Sequence, residues 1–322
     1  MVLNTVARWN RSIVNRLDAR EWLHSSSSSN TERDEPLTVG VLVNPRVPAW
    51  HERAIENVRA LDGVRVNYAV VNAEQSSMLS DGADAINRDG LFSLDDLKLF
   101  YRVVSEDGLK AALYADQKLG WDVFGETRQR ELLRSKPIDD VDCLADVDRE
   151  DCVPESDGAW KTLPDETVET LGQRCDVVLR FGFGLIKGDV LTAPEHGVLS
   201  VHGSDIRKSR GMGPQIAFLH DNEHVTVTLQ QLSEEIDAGS IVEMTSTDVP
   251  THATYDDVSG EILRLSSAVY ADGVRNLRDG NSPWDPETVG TYYSLELQRK
   301  SPRFVGTLLL KNNYRRLRKS VA

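Results

Sequence analysis

The chain has 322 residues, which is long enough to bury a full hydrophobic core in one large domain or two modest ones. Its 51 acidic and 37 basic residues give a net charge of -14. This charge disfavours nucleic-acid binding in general, so contact with RNA would need a local basic patch. Cys143, Cys152 and Cys175 show no CxxC spacing, so the sequence predicts neither a disulfide framework nor a metal site. No apolar run approaches the roughly 20 residues that span a bilayer, and we expect a cytoplasmic protein.

The first 24 residues show the pattern of an amphipathic helix. Apolar residues recur at steps of three or four, at Val2, Val6, Trp9, Ile13 and Leu17. A serine-rich stretch over 25–36 follows and is typical of a flexible linker. We therefore predict a helical appendage. It docks on a subunit in the simplest interpretation and lies on an anionic membrane surface in the alternative one.

From residue 37 to residue 275, short apolar runs alternate with helical periodicity. Strands are predicted over 39–43, 64–71, 176–183, 198–202, 225–232 and 241–249. Helices are predicted over 187–191, 214–220 and 255–274, and two more over 94–119 with a break near Gly108. Residues 136–165 lack periodicity and are predicted to be irregular. Together with the two helices over 94–119, they are predicted to form a helical insertion near 92–165 within the domain. This alternation predicts an α/β fold with a mainly parallel sheet flanked by helices.

A histidine ends one of the strongest strand predictions. The run 199–205 leads from a buried type of strand into a polar loop that contains Gly203. Ligands of doubly wound sheets bind at the carboxyl ends of strands, which favours a chemical role for His202 over a packing role. The loop that follows concentrates polar and charged groups able to hold a polar or anionic substrate, namely Ser204, Asp205, Arg207, Arg210 and Gly211.

A second carboxylate-bearing turn follows later in the chain. Asp237, Ala238 and Gly239 separate two predicted strands, and small residues there allow the close approach of backbone or ligand. Such a turn is weak evidence by itself. Its place after the His202 strand makes Asp237 a candidate partner of the histidine.

The order of these motifs resembles the catalytic domain of the folate-dependent formyltransferases. Residues 177–186 are similar to the strand and loop that border the folate pocket of that family. Residues 200–202 fall on its Asn-x-His motif, Arg210 and Gly211 on the Arg-Gly that closes the next loop, and residues 236–241 on its Asp-x-Gly-x-Ile turn. The family acts on glycinamide ribonucleotide, methionyl-tRNA or amino sugars. The resemblance implies a Rossmann-like formyltransferase fold over 37–275.

The resemblance also implies an activity and a set of site residues. We expect a transferase of one-carbon metabolism that takes a formyl group from 10-formyltetrahydrofolate, without a metal, to a primary amine. His202 and Asp237 would be catalytic, with Ser200 as the third member. The folate would contact residues along its binding strand and one acidic residue, namely Phe181, Gly182, Phe183, Leu185, Ile186 and Glu234.

Ser200 stands where the family has an asparagine, whose amide donates a hydrogen bond to the oxyanion. A serine offers one hydroxyl donor on a shorter arm. One alternative is therefore a catalytically impaired protein that binds a folate or an amine. Another is a hydrolase that uses Ser200 as nucleophile, but the Gly-x-Ser-x-Gly elbow of hydrolases is missing from the sequence.

The C-terminal segment 276–322 is locally basic, through Arg299, Lys300, Arg303, Lys311, Arg315, Arg316, Arg318 and Lys319. The simplest interpretation is a helix that docks by its leucines and exposes its arginines. Alternatives are contacts with tRNA, with a nucleotide sugar, with an anionic membrane or with another subunit. The segment is too short for the additional β-barrel that the resemblance associates with methionyl-tRNA formyltransferases. We therefore prefer a small amine, such as an amino sugar, as acceptor and keep tRNA as a second alternative.

Overall fold

The computed structural model describes residues 35–74 and 108–321. The chain divides into two units, Met1–Asp34 and Glu35–Ala322. The predicted N-terminal helix, nearly all of its linker and the first of the two helices predicted over 94–119 lie outside the described residues. The second of those helices is confirmed, from Lys110 to Phe124.

The described elements are numbered in chain order. The strands are β1 (Leu37–Val43), β2 (Arg46–Pro48), β3 (Val64–Asn72), β4 (Ser135–Pro137), β5 (Asp148–Cys152), β6 (Glu155–Asp157), β7 (Trp160–Thr162), β8 (Val177–Arg180), β9 (Leu185–Ile186), β10 (Val198–His202), β11 (Ser209–Arg210), β12 (His224–Gln231), β13 (Ser240–Asp248) and β14 (Thr291–Tyr292). The helices are α1 (Ala49–Arg59), α2 (Lys110–Phe124), α3 (Arg128–Leu133), α4 (Asp165–Arg174), α5 (Gly213–Leu219), α6 (Tyr255–Arg278), α7 (Glu296–Lys300) and α8 (Pro302–Val321).

The main sheet has the strand order β13-β12-β10-β8-β1-β3-β5. All neighbours from β10 to β5 pair in parallel, and β12 pairs antiparallel with both β10 and β13. The prediction of an α/β fold with a mainly parallel sheet is confirmed. After β1 the chain adds β3 on one side and later adds β8 on the other. In such sheets the crevice beside this reversal, at the carboxyl ends of the strands, is where ligands bind.

Hydrophobic cores cover both faces of the sheet. On one face, α1 and α6 pack their apolar side chains against β1 and β8, including Val41 and Leu179. On the other face, α4 packs Leu171 against Leu42 and Val178. Because both faces are buried, the central strands are nearly continuous runs of apolar residues rather than alternating ones.

Helix α6 is the longest described element and begins with a capping box. The Thr254 hydroxyl accepts a hydrogen bond from the Asp257 backbone N–H, and the Asp257 carboxylate accepts one from the Thr254 N–H. This pair satisfies two backbone donors that the first turn of a helix otherwise leaves free. The helix runs four residues beyond its predicted end, to Arg278.

Two local predictions are wrong. Residues 136–165 are not wholly irregular, because β5 joins the edge of the main sheet beside β3. Its sequence, Asp-Arg-Glu-Asp-Cys, lacks the apolar residues by which a strand is predicted. An edge strand pairs with one neighbour only and therefore tolerates charged side chains. The predicted helix over 187–191 is only a 3-10 turn, Asp189–Leu191, and Gly188 before it has a φ of 85°.

The C-terminal helix α8 also differs from the prediction. Leu308 is buried as expected, but Leu310 and Leu317 are 77% and 58% exposed. Arg315 and Arg316 are buried instead, because acidic partners compensate their charges. Within residues 35–74 and 108–321, no helix is long and apolar enough to cross a membrane.

Candidate active site

The strands β8 and β10 separate at their carboxyl ends. Their last register pair is Leu179 with Leu199. Beyond this pair, the Tyr270 hydroxyl of α6 lies between Arg180 of β8 and Val201 of β10. It donates to the carbonyl of Arg180 at 2.9 Å and accepts from the backbone N–H of Val201 at 3.3 Å. The strand ends are thereby bonded through a side chain instead of to each other.

His202 and Asp237 meet beside these strand ends. His202 ends β10, and its Nδ1 lies 3.3 Å from Oδ1 of Asp237. The side chains are 8% and 20% exposed. The other ring nitrogen, Nε2, is buried and has no hydrogen-bond partner among the described residues. The predicted pair therefore exists, and it leaves one imidazole nitrogen unengaged.

The Asp237 turn is fixed by a small hydrogen-bond network. The Asp237 carboxylate accepts from the Gly211 backbone N–H at 3.0 Å and from the side chain of Gln230 at 3.3 Å. The Gln230 carbonyl oxygen in turn accepts from the Gly239 N–H at 3.0 Å. Asp237 itself has a φ of 51°, in the left-handed region that aspartate tolerates better than most residues.

Asp237 stays ionised despite its burial. Burial by itself raises the pKa of the carboxyl, but hydrogen bonding to His202, the charge of His202, the Gly211 N–H and the charge of Arg180 outweigh it, so the pKa lies below its ordinary value. Because an ionised carboxylate only accepts hydrogen bonds, the facing Nδ1 of His202 is assigned as the protonated nitrogen. Nε2 is then free to exchange a proton.

Ser200 is held by an arginine that the sequence prediction did not include. Ser200 is buried two residues before His202 on β10. Its Oγ accepts hydrogen bonds from both Nε and Nη2 of Arg180, at 3.2 Å and 2.6 Å, and Nη1 of Arg180 donates to the Gly184 carbonyl. Ser200 makes no hydrogen bond with His202 among the described residues. Within that part of the chain, there is no Ser-His-Asp triad.

The loop after His202 is bonded mainly to itself and to the Asp237 turn. The Ser204 hydroxyl donates to the Ser209 carbonyl at 2.7 Å. Asp205 is buried and accepts two hydrogen bonds from the guanidinium of Arg207, at 2.8 Å and 2.9 Å. The predicted substrate-binding roles of these residues remain predictions. Their contacts in the structure are those of a braced loop.

Arg210 and Gly211 connect this loop to the turn. The Arg210 guanidinium donates to the carbonyls of Gly290 and Ile236 and to the Glu235 carboxylate, at 3.0, 3.1 and 2.6 Å. Gly211 has a φ of 88°, and its N–H reaches Asp237. β11, which contains Arg210, also pairs in parallel with β14. The pair therefore positions Asp237, and its predicted contact with substrate remains a prediction.

Five of the six residues predicted to bind folate follow the end of β8, and the sixth, Glu234, follows β12. Phe181 is buried, with its ring centroid 4.6 Å from that of Tyr270. Phe183 and Ile186 are buried in the core on the α4 side of the sheet, Leu185 is half-buried, and Glu234 is exposed.

Gly182 packs against the chain just after β1. An added Cβ there would lie 2.6 Å from Oδ1 of Asn44, so only glycine fits this close approach. The Asn44 side chain also accepts a hydrogen bond from the Phe183 N–H at 3.4 Å. Asn44 is thus a second residue beside the site that the sequence prediction did not include.

The register of the sheet was the signal that could have identified Arg180. Because Leu179 pairs with Leu199, Arg180 comes level with Ser200 on the next strand, and side chains at paired positions point to the same face. In the described part of the chain, no group of three or more His, Cys, Asp or Glu side chains is placed to hold a metal ion.

Comparison with known proteins identifies relatives over part of the chain. A methionyl-tRNA formyltransferase from Thermotoga neapolitana is 30% identical over 107 residues, which make up 33% of this chain and 34% of that protein. The methionyl-tRNA formyltransferase of Thermotoga maritima is 31% identical over 110 residues, 34% of this chain and 35% of that protein. The chain resembles the formyltransferase family. It spans about a third of the length of these curated relatives.

No family model matches the chain. Two solved structures of formyltransferases are similar to it at lower identity. Glycinamide ribonucleotide transformylase 1 from Symbiobacterium toebii is 17% identical, with 84% of this chain and 100% of that chain covered and a TM-score of 0.45. The N-formyltransferase from Helicobacter canadensis, whose complex holds folinic acid and dTDP-3-aminofucose, is 11% identical, with 86% and 80% covered and a TM-score of 0.47.

Proposed function

We propose that this chain transfers a formyl group from 10-formyltetrahydrofolate to a primary amine. The observation that carries the proposal is the His202–Asp237 pair, which leaves Nε2 of His202 buried and unengaged at the carboxyl end of the sheet. Its place at the carboxyl end of the sheet, on the strand next to the one that borders the chain reversal, suits a ligand site. The partial similarity to formyltransferases supports the same chemistry.

The reaction moves one acyl group and one proton. The amine nitrogen forms a bond to the formyl carbon, and the carbonyl electron pair moves onto oxygen to give an oxyanion. The intermediate collapses when the bond between the formyl carbon and the folate nitrogen breaks. The amine has meanwhile lost a proton, and the folate nitrogen gains one.

His202 is suited to this proton transfer. Nδ1 faces the Asp237 carboxylate at 3.3 Å, which leaves Nε2 as the nitrogen that exchanges the proton. A positioned histidine that takes and returns a proton accelerates such a reaction by about a hundred- to ten-thousandfold. The ionised Asp237 stabilises the imidazolium that forms in between, without becoming protonated itself.

The acceptor we propose is a small amine, such as an amino sugar. Most cations of the C-terminal segment are engaged by acidic side chains. Lys311 and Arg315 pair with Asp221, and Lys319 pairs with Asp257. A polyanion such as tRNA would have to compete with these carboxylates, and the net charge of -14 adds further repulsion. The methionyl-tRNA relatives make aminoacylated tRNA the second acceptor to test.

The test is a turnover assay that follows release of tetrahydrofolate from 10-formyltetrahydrofolate. The acceptor panel comprises nucleotide-linked amino sugars, glycinamide ribonucleotide and methionyl-tRNA. We expect turnover with an amino sugar, a loss of about a hundredfold or more in His202→Ala, and a comparable loss in Asp237→Asn.

The chain offers a matched control pair. His224 and Asp248 lie 2.5 Å apart but are 66% and 86% exposed, on β12 and β13. His224→Ala and Asp248→Asn should leave turnover unchanged. If the wild type binds the folate without turning over any amine, the chain is instead the catalytically impaired protein that the sequence left open.

A further inference from the structure

Arg180 of β8 and Ser200 of β10 form a hydrogen-bonded pair on the strands next to the His202–Asp237 pair. We propose that the Ser200 hydroxyl, polarised by Arg180, donates the hydrogen bond that stabilises the oxyanion on the formyl group. This inference rests on the proposed function. Ser200 is then a catalytic residue, and Arg180 is a positioning residue that acts through it.

The Ser200 hydroxyl has an O–H donor that its contacts do not use. A serine hydroxyl has two acceptor lone pairs and one O–H donor. Nε and Nη2 of Arg180 both donate to Oγ, and because they belong to one guanidinium they approach the oxygen from the same side. The O–H has no acceptor among the described residues. The hydroxyl proton, which points away from the guanidinium, is therefore available to donate to a ligand.

Arg180 also fixes the direction and strength of that donor. Two N–H groups in a rigid fork remove the free rotation by which a serine hydroxyl normally finds its partner. Hydrogen bonds from a charged group polarise the hydroxyl, and linked hydrogen bonds strengthen one another in a low dielectric. Ser200 is buried, which is such a setting.

The location suits an oxyanion donor. Ser200 and His202 are two positions apart on β10, so their side chains point to the same face of the strand. A formyl group placed between them has a proton-exchanging nitrogen and a hydrogen-bond donor on the same side. The serine and the arginine together thus take the place of the asparagine amide of the family.

This arrangement also explains why Ser200 is not a nucleophile. A serine nucleophile needs a base within hydrogen-bond reach of its proton. Among the described residues, the only groups bonded to Ser200 Oγ are the guanidinium nitrogens of Arg180, which cannot accept a proton.

The experiment is a double-mutant cycle on the wild-type full chain and its variants. The assay uses 10-formyltetrahydrofolate with the best amine acceptor, and water alone as a second nucleophile, because the oxyanion forms with either one. Ser200→Ala should lower kcat by about a hundredfold or more with little change in KM, since the lost interaction exists only in the transition state. Arg180→Leu should lower kcat as well.

The double variant shows whether Arg180 acts through Ser200. If Arg180 acts through Ser200, the double variant Arg180→Leu, Ser200→Ala is no slower than Ser200→Ala alone. In the variant Arg180→Leu, Ser200→Asn, an amide donor is restored and the space of the guanidinium is freed, so kcat should recover well above that of Arg180→Leu. A purely structural role of Arg180 would give additive losses and no rescue.

Two further variants guard against misfolding. Ser200→Thr keeps the hydroxyl and should be faster than Ser200→Ala. Ser266→Ala removes another buried hydroxyl, one that bonds only to the Ile262 carbonyl of its own helix, and should leave kcat unchanged.

The outcomes separate the two proposals. An active wild type whose Ser200→Ala variant keeps full kcat overturns the donor role alone. A wild type that releases no tetrahydrofolate with any amine or with water overturns the proposed function and this inference together.

Discussion

His51 should make the stability of this protein sensitive to mild acid. It lies in the first turn of α1, with its ring centroid 4.0 Å from that of Trp50 and 5.1 Å from that of Phe181. Burial, and after it the positive charge of Arg180, lowers the pKa of His51 from 6.5 to about 3. The folded protein therefore keeps His51 neutral across the range in which most histidines become charged.

The sign and size of the effect follow from proton linkage. Below pH 6.5 the unfolded chain protonates His51, whereas the folded chain does so only near pH 3. Between pH 6.5 and pH 3, unfolding therefore takes up a proton, so lowering the pH favours the unfolded state. At about 1.4 kcal/mol per pH unit, the free energy of unfolding falls by about 2 kcal/mol between pH 7 and pH 5. The fall continues toward pH 3 and then stops.

The measurement is urea unfolding of the wild type and His51→Leu at pH 7, 6 and 5. All other titrating groups are common to both proteins, so the difference between their free energies of unfolding isolates His51. That difference should shift by about 2 kcal/mol in favour of the variant at pH 5. A difference that stays constant within about 0.5 kcal/mol would refute the buried neutral state of His51.

Two other substitutions test the supports of the site. Gly239→Ala would place a Cβ against the carbonyl of Gln231 and displace the turn that carries the catalytic carboxylate, so kcat should fall and unfolding should become easier by about 1–3 kcal/mol, as followed by turnover and urea unfolding. Arg316→Met leaves the half-buried carboxylate of Asp116 and the buried one of Asp256 without their common cation and should lower the free energy of unfolding by about 3–5 kcal/mol, whereas the exposed Arg318→Met should not.

The sequence predicted the elements whose pattern is local. The apolar strands, the long helix α6 and the two candidate site positions were predicted because a buried strand that ends in histidine, or a turn of small residues, is a local pattern in the sequence. The ends of such elements moved by a few residues at most, as with α6. His202 and Asp237 were predicted to be partners, and their side chains lie 3.3 Å apart; their catalytic role stays a prediction.

What the sequence did not reveal depends on partners far apart in the chain. Arg180 is ordinary within its strand and gains its role only because β8 lies next to β10, which places it on Ser200. Arg316 seemed an exposed cation because its partners, Asp116 and Asp256, lie 200 and 60 residues earlier. Edge strand β5 was missed for a related reason, since its charges are tolerated only at a position that the fold assigns.

These distant contacts connect the C-terminal helix to the ends of β8 and β10. The buried Arg316 of α8 bonds Asp256 in the first turn of α6. Four turns further along α6, the Tyr270 hydroxyl bonds the Arg180 carbonyl and the Val201 N–H, and so fixes how far β8 and β10 separate. That separation sets the distance between the guanidinium of Arg180 and the hydroxyl on β10. A loosened α8 should therefore disturb the oxyanion donor before it disturbs the His202–Asp237 pair, whose carboxylate is held from the opposite side by Gly211 and Gln230.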